Sequence, residues 1–212
     1  MKLISVNLGK LKPMTIAQDS LSTGIFKEQV SAPVFISRQG LEGDLIGDTR
    51  NHGGVDQAVY LYSEEDYAYW QAQLGYKPEA GTFGENLTVS SFGSEPIRVG
   101  DRFRVGEVEL ELTAPRIPCS KLATRMNDLG FVKTFRQAGR PGAYARVLKE
   151  GMVSTGNTVE KTFSSPDYPT IAQFFDLWYV KELSKAQLEH LLASPIAERA
   201  RGFLETKLEQ LS

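Results

Sequence analysis

Arg116, Cys119, Lys121 and Arg125 fall within ten residues of a 212-residue chain, and Cys119 is its only cysteine. The thiolate is the nucleophilic and metal-ligating form of cysteine, and nearby cations or a helix N-terminus lower its pKa. The stretch "RIPCSK" follows a strand-like "VELELTAP" and precedes a helix-like "KLATRMNDLG". With Ser120 as the N-cap, Cys119 stands one residue ahead of the helix, beside its partial positive charge. Pro118 fixes its own φ and keeps Ile117 extended, so the approach to the cysteine is rigid. A reactive or metal-binding sulfur is one reading. A small buried hydrophobe, the common fate of a lone cysteine, is the other.

The charge around it is lopsided. From Thr113 to Lys149 there are eight basic residues and one acid, Asp128, a net of +7 in a chain whose formal charge is −2. Lys121 and Arg125 are spaced i,i+4, which on a helix sets like charges side by side at a cost of about 0.2–0.5 kcal/mol. Such a run is either a solvated face or a site for an anion. Two glycine-rich segments suit close backbone approach and anion-binding amides: "RNHGG", with Arg50 and His52, and "GTFGENL", with Glu85 and Asn86 on a turn. In "GRPGAYARVLKEG", alternation puts Ala143, Ala145 and Val147 on the packed side and leaves Tyr144 and Arg146 facing a groove, with Arg140 in the rigid turn before them.

Positioning these residues falls to many short strands. In "VGDRFRVGEVEL", alternation predicts a hairpin turning near Gly106, with Phe103 and Val105 inward and Arg102 and Arg104 in water. Helices are expected after Ser63 ("EEDYAYWQAQLG") and over 120–138. Short strands with frequent glycines predict a mainly β fold, a closed barrel or a sandwich, over residues 1–163. A Pro-rich linker, "SSPDYPT", then leads to a small three-helix appendage over 164–212. Thr170 caps its first helix, Ser184 with Gln187 forms a capping box for the second, and Ser194–Pro195 starts the third.

Composition narrows the function. A charge near zero gives no global field for nucleic acid or an acidic membrane, and residues 170–212 carry five Lys/Arg against six Asp/Glu. A DNA reader needs a basic footprint instead. No stretch approaches the roughly 20 apolar residues of a membrane span or forms a secretory leader, and a single cysteine suits a reducing cytoplasm. One cysteine and two histidines, His52 and His190, are too few for a conventional zinc site. "HGG" has no GxSxG nucleophile to go with it.

Taken together, "GLEGDLIGDTRNHGGVDQAV", "GTFGENL", "VGDRFRVGEVELELTAPRIPCSKL" and "GRPGAYARVLKEG" resemble the MOSC family, named after the C-terminal domain of molybdenum-cofactor sulfurases. More narrowly, the chain is similar to the stand-alone YiiM-like branch with a helical tail. The resemblance implies a closed β-barrel holding a molybdopterin-type cofactor (Mo-molybdopterin), with Cys119 as metal ligand and catalytic residue. It also implies reduction of N-hydroxylated compounds, such as 6-N-hydroxylaminopurine and hydroxylamines, in a detoxifying role, with electrons from a separate flavin-containing reductase. The pyridoxal-phosphate domain of the sulfurases is missing, as is the extra N-terminal domain of the mitochondrial amidoxime reductases. A pterin phosphate would give Arg50, Arg116, Lys121, Arg125, Arg140 and Arg146 an anion to neutralise, and Asn86, His52 and Tyr144 would line the pocket. Two rival readings stay open: a persulfide carrier using Cys119, and a non-catalytic molybdopterin-binding module. A homodimer is compatible with either.

Overall fold

A computed structural model of the chain describes residues 1–16, 18–47 and 53–211. Among the described residues there are thirteen strands and six α-helices. In chain order the strands are β1 (Leu3–Gly9), β2 (Lys12–Ile16), β3 (Asp19–Thr23), β4 (Lys27–Val30), β5 (Val34–Ser37), β6 (Gly40–Leu41), β7 (Val59–Ser63), β8 (Leu87–Val89), β9 (Arg102–Val105), β10 (Val108–Ala114), β11 (Ala143–Lys149), β12 (Gly151–Val153) and β13 (Val159–Phe163). The helices are α1 (Glu64–Leu74), α2 (Ser120–Arg125), α3 (Phe131–Ala138), α4 (Ile171–Trp178), α5 (Lys185–Leu192) and α6 (Glu198–Glu209).

The hairpin β9–β10 forms as its alternation predicts. Phe103 and Val105 are buried, Arg104 is exposed, and Gly106 turns the chain at φ 57°, where a side chain would be strained. On β11, Ala143, Ala145 and Val147 are buried and Tyr144 and Arg146 face the other way. Eight strands build one sheet in the order β13-β9-β10-β11-β7-β8-β1-β4, antiparallel except where β7 and β8 run parallel. A three-stranded sheet, β12-β5-β6, and a ribbon, β2-β3, complete the β structure.

The expected closed barrel is not formed; among the described residues no sheet closes on itself. The large sheet curls until Lys2 makes a lone antiparallel bridge with Thr158, and Leu3 N donates to Asn157 O at 2.9 Å. What faces β1 there is the turn ahead of β13, with Gly156 at φ 90°. A turn offers one bridge where closure needs a ladder.

Helix boundaries follow local chemistry. Ser63 caps α1 by accepting from Asp66 N, and Thr170 and Ser184 both form capping boxes, with Gln173 and Gln187. The third tail helix begins later than Ser194–Pro195 suggests: α6 starts at Glu198, with Ala197 at the cap. Ser194 Oγ instead donates to Leu191 O at 2.7 Å, closing α5, and Ala197 N donates to Thr113 O on β10 at 3.2 Å.

Two apolar clusters hold these elements. One runs from the sheet (Leu61, Leu110, Leu112, Val159) straight into the tail helices (Phe174, Leu188, Leu191, Leu204). The other is aromatic and gathers Tyr60, Tyr62, Trp70, Phe83, Phe131 and Phe135 beneath α2 and α3; Trp70 and Phe135 stack with centroids 5.7 Å apart. No described helix is long and apolar enough to cross a membrane.

Candidate functional site

Where β10 ends, the chain runs without regular structure from Pro115 to Pro118 and enters α2. The N-cap is Cys119 itself, at φ −134° and ψ 175°, one residue earlier than Ser120. Its carbonyl accepts from Leu122 N at 3.0 Å, while its side chain makes no capping bond. Capping therefore uses the backbone and leaves the sulfur directed elsewhere. Cys119 is half-buried and lines an open cleft of about 630 Å³, solvent at its mouth included.

Arg116, Lys121, Tyr144, Tyr60 and Asn86 line the same cleft. Arg116 is only 4% exposed, and its guanidinium lies 5.7 Å from the Tyr60 ring and 5.8 Å from the Phe135 ring. Its Nη1 is buried without a hydrogen-bond partner, and among the described residues no carboxylate pairs with it. Nor do the tyrosines supply an anion, because burial pushes Tyr60 and Tyr144 up from their usual range and keeps both as neutral phenols. A buried cation left in this state is costly in itself.

The lining also holds a buried ion pair. Lys27 Nζ donates to Asp44 Oδ2 at 2.6 Å, and Asp44 also accepts from Gly9 N at 2.6 Å and from Asn86 Nδ2 at 2.9 Å. Burial pulls the Lys27 pKa down against the pull of Asp44. Asn86 reaches the other way as well, since its Oδ1 accepts from Tyr60 N at 3.1 Å. It thereby joins the ion pair to Tyr60. Gly24 is needed where the wall turns: a Cβ there would lie 1.7 Å from Leu45 O.

Of the residues singled out in the sequence, Cys119, Arg116, Lys121, Asn86 and Tyr144 meet at this cleft. Three arginines are engaged elsewhere. Arg125 donates to Thr82 O at 2.7 Å and to Gly81 O at 3.3 Å, pinning the "GTFGENL" turn. Arg140 pairs with Asp66 at 2.8 Å and lies 4.7 Å from the Tyr69 ring. Arg146 holds Asp56 at 2.9 Å and donates to the carbonyls of Pro195 and Ile196, each at 3.1 Å. Arg50 and His52 lie outside the described residues. Sequence reasoning passed over Lys27, Asp44 and Tyr60; the one signal for Asp44 was its place between glycines in "GLEGDLIGD".

Among the described residues, no group of three or more His, Cys, Asp or Glu side chains converges to hold a bare metal ion. The molybdopterin-type cofactor that the sequence resemblance implies would need one sulfur from the protein and a cation for its acidic group. The half-buried thiol and the unpartnered Arg116 Nη1 fit that pair of demands.

Several known proteins resemble the chain. The family model described as "MOSC domain" matches residues 48–160. The uncharacterised protein YflK of Bacillus subtilis (strain 168) is 40% identical over 159 residues, covering 74% of this chain and 71% of that one. YiiM of Escherichia coli (strain K12) is 31% identical over 160 residues, with 74% and 70% covered. A Gibberella moniliformis protein named "Reductase" is 34% identical over 161 residues, which span 74% of this chain but 28% of that protein. The crystal structure of YiiM from Geobacillus stearothermophilus superposes with a TM-score of 0.78 at 28% identity, over 98% of both chains.

Proposed function

The chain belongs to the MOSC domain family as a YiiM-like member, and from that premise we propose that it is a cytoplasmic molybdenum-cofactor oxidoreductase that reduces N-hydroxylated compounds. A separate flavin-containing reductase would supply the electrons. The observation that carries this reading is the cleft itself, lined by both a half-buried thiol and a buried guanidinium with an unpartnered Nη1. The name of the fungal relative, "Reductase", points the same way.

In this reading Cys119 ligates the metal, Arg116 takes the pterin phosphate, and Lys121 adds positive charge at the mouth. Once bound, the cofactor would supply the redox chemistry at its metal. The protein does the rest. Tyr60 and Tyr144, with ring centroids 5.1 Å apart, flank Arg116 with neutral phenols and keep water from its buried side. Asn86, held by Tyr60 N and by Asp44, fixes the floor against which a small substrate would be oriented.

The test is metal analysis of protein made in a cofactor-producing host, beside turnover of 6-N-hydroxylaminopurine with a flavin reductase present. Wild type is expected to carry about one molybdenum per chain and to turn the base over, whereas Cys119→Ala loses both. A Cys119→Ala protein that reduces the base at the full rate would refute the ligand role. A persulfide on Cys119 without bound pterin would instead favour the sulfur carrier.

A further inference from the structure

Beside the Cys119 cleft, and sharing Lys27 with it, lies a second, wider cleft lined by Ser5, Tyr67, Thr88 and Glu79. The partition between the two is polar and fully buried. Glu85 is 0% exposed, and its Oε1 accepts from Tyr67 Oη at 2.5 Å, from Gly81 N at 2.7 Å and from Thr88 Oγ1 at 3.0 Å. Thr88 Oγ1 in turn accepts from Asn7 Nδ2 at 3.2 Å, and Ser5 stands opposite Thr88 in the β1–β8 register.

Three buried side-chain atoms around Thr88 have no hydrogen-bond partner: Ser5 Oγ, Asn7 Oδ1 and Glu85 Oε2. Buried polar atoms in folded proteins are nearly always satisfied, by protein or by ordered water. A cluster of three in one polar partition leaves acceptors and donors that bridging water would satisfy. Gly81 brings this partition against Lys27, since a Cβ on Gly81 would lie 2.6 Å from Lys27 O and 3.1 Å from Lys27 Cβ. Beyond Lys27 come Asp44 and Asn86, already in the wall of the Cys119 cleft.

We infer that Glu85, with Thr88, Ser5 and Asn7, forms a proton relay that carries protons from the second cleft through Lys27 and Asp44 to the Cys119 cleft. The inference rests on the reductive reading. Reduction of an N-hydroxyl group takes two electrons and two protons. The N–O bond breaks, one proton ends on nitrogen, and the other leaves with the oxygen as water. The electrons come from the reduced flavin-containing reductase, and with cofactor and substrate seated in the open cleft the relay gives the protons a route through the protein wall of the site. Burial also keeps the Glu85 carboxyl protonated to higher pH than usual, which suits a group that has a proton to give.

Glu85→Gln is the main test variant, because its amide oxygen can keep the three bonds to Oε1. Thr88→Val is the second, removing the hydroxyl that ties Glu85 to Asn7. Both are expected to bind molybdenum as wild type does, with KM unchanged and kcat lowered about tenfold or more, against roughly 10²–10⁴ for losing a proton transfer outright. The solvent deuterium isotope effect on kcat should rise in both. An infrared pH titration of the cofactor-free wild type should show a carboxyl that keeps its proton above the ordinary glutamate range and is missing in Glu85→Gln. A Glu85 that ionises within the ordinary glutamate range, or wild-type kcat and isotope effect in both variants, overturns the relay alone. A wild type that turns over no N-hydroxylated compound overturns the reductive reading, and the relay with it.

Discussion

Arg116 is a cation kept out of water with no carboxylate paired to it among the described residues, and that condition has a cost while the cofactor is away. Arg116→Met should therefore leave the cofactor-free protein more stable, by about 1 kcal/mol, because it replaces an uncompensated buried charge with an apolar side chain of similar length. Urea unfolding reads this, and a midpoint below wild type would count against it; molybdenum content should fall in the same variant. Glu85 makes a different prediction. Burial, the largest influence, holds its pKa above the ordinary glutamate value of 4.5. The folded chain then keeps a proton that the unfolded chain releases, so this contribution to stability is complete below pH 4.5 and is lost as pH rises through the folded value. Glu85→Gln removes that slope. Its stability relative to wild type should grow with pH across the window, and a pH-independent difference would contradict the protonated carboxyl.

Among elements, the arginines divide the labour. Arg146 ties Asp56, next to the cleft, to the chain entering α6. Arg146→Ala should cost about 2 kcal/mol, the scale of charged hydrogen bonds, and speed amide exchange over 195–209 while molybdenum content stays constant. Loss of the metal in that variant would instead give Arg146 a role at the cofactor. Thr170→Ala removes the capping-box oxygen of α4 and should cost about 1 kcal/mol in thermal unfolding. The strands and caps were legible in the sequence because their causes are local: β9, β10 and β11 follow from alternation, and Thr170 and Ser184 from residues three positions on. The start of α6 was not legible. Ser194–Pro195 carries the signature of a beginning, but Ser194 Oγ is taken by the helix before it. The cap at Cys119 differed by one residue for a related reason, since nothing in "PCSK" says whether a backbone carbonyl or a hydroxyl will close the first turn. Lys27 and Asp44 escaped notice because burial defines them. In "KEQV" a lysine reads as a wet edge, and only the fold brings Asp44 within 2.6 Å of it.

Across the whole molecule, the division at residue 163 is one of chain rather than of packing, since a single apolar cluster includes Leu112 of the sheet and Leu191 of the tail. Truncation after Phe163 should therefore give an insoluble or unfolded chain, and the intact protein should melt in one cooperative transition. Two separate calorimetric peaks would contradict that shared core. The curl of the large sheet was less legible than its strands, because closure depends on which residues happen to face β1 across more than 150 positions of sequence. The aromatic packing has a practical outcome. Of the two tryptophans, Trp70 is sealed among Phe83, Phe131 and Phe135 and hydrogen-bonded to Tyr62 Oη. Trp178 lies 39% open on the tail, beside Phe203. The two tryptophans thus sit in unlike surroundings, and their emission is expected to differ in colour, Trp70 reporting from beneath the cleft and Trp178 from the helical end without any label.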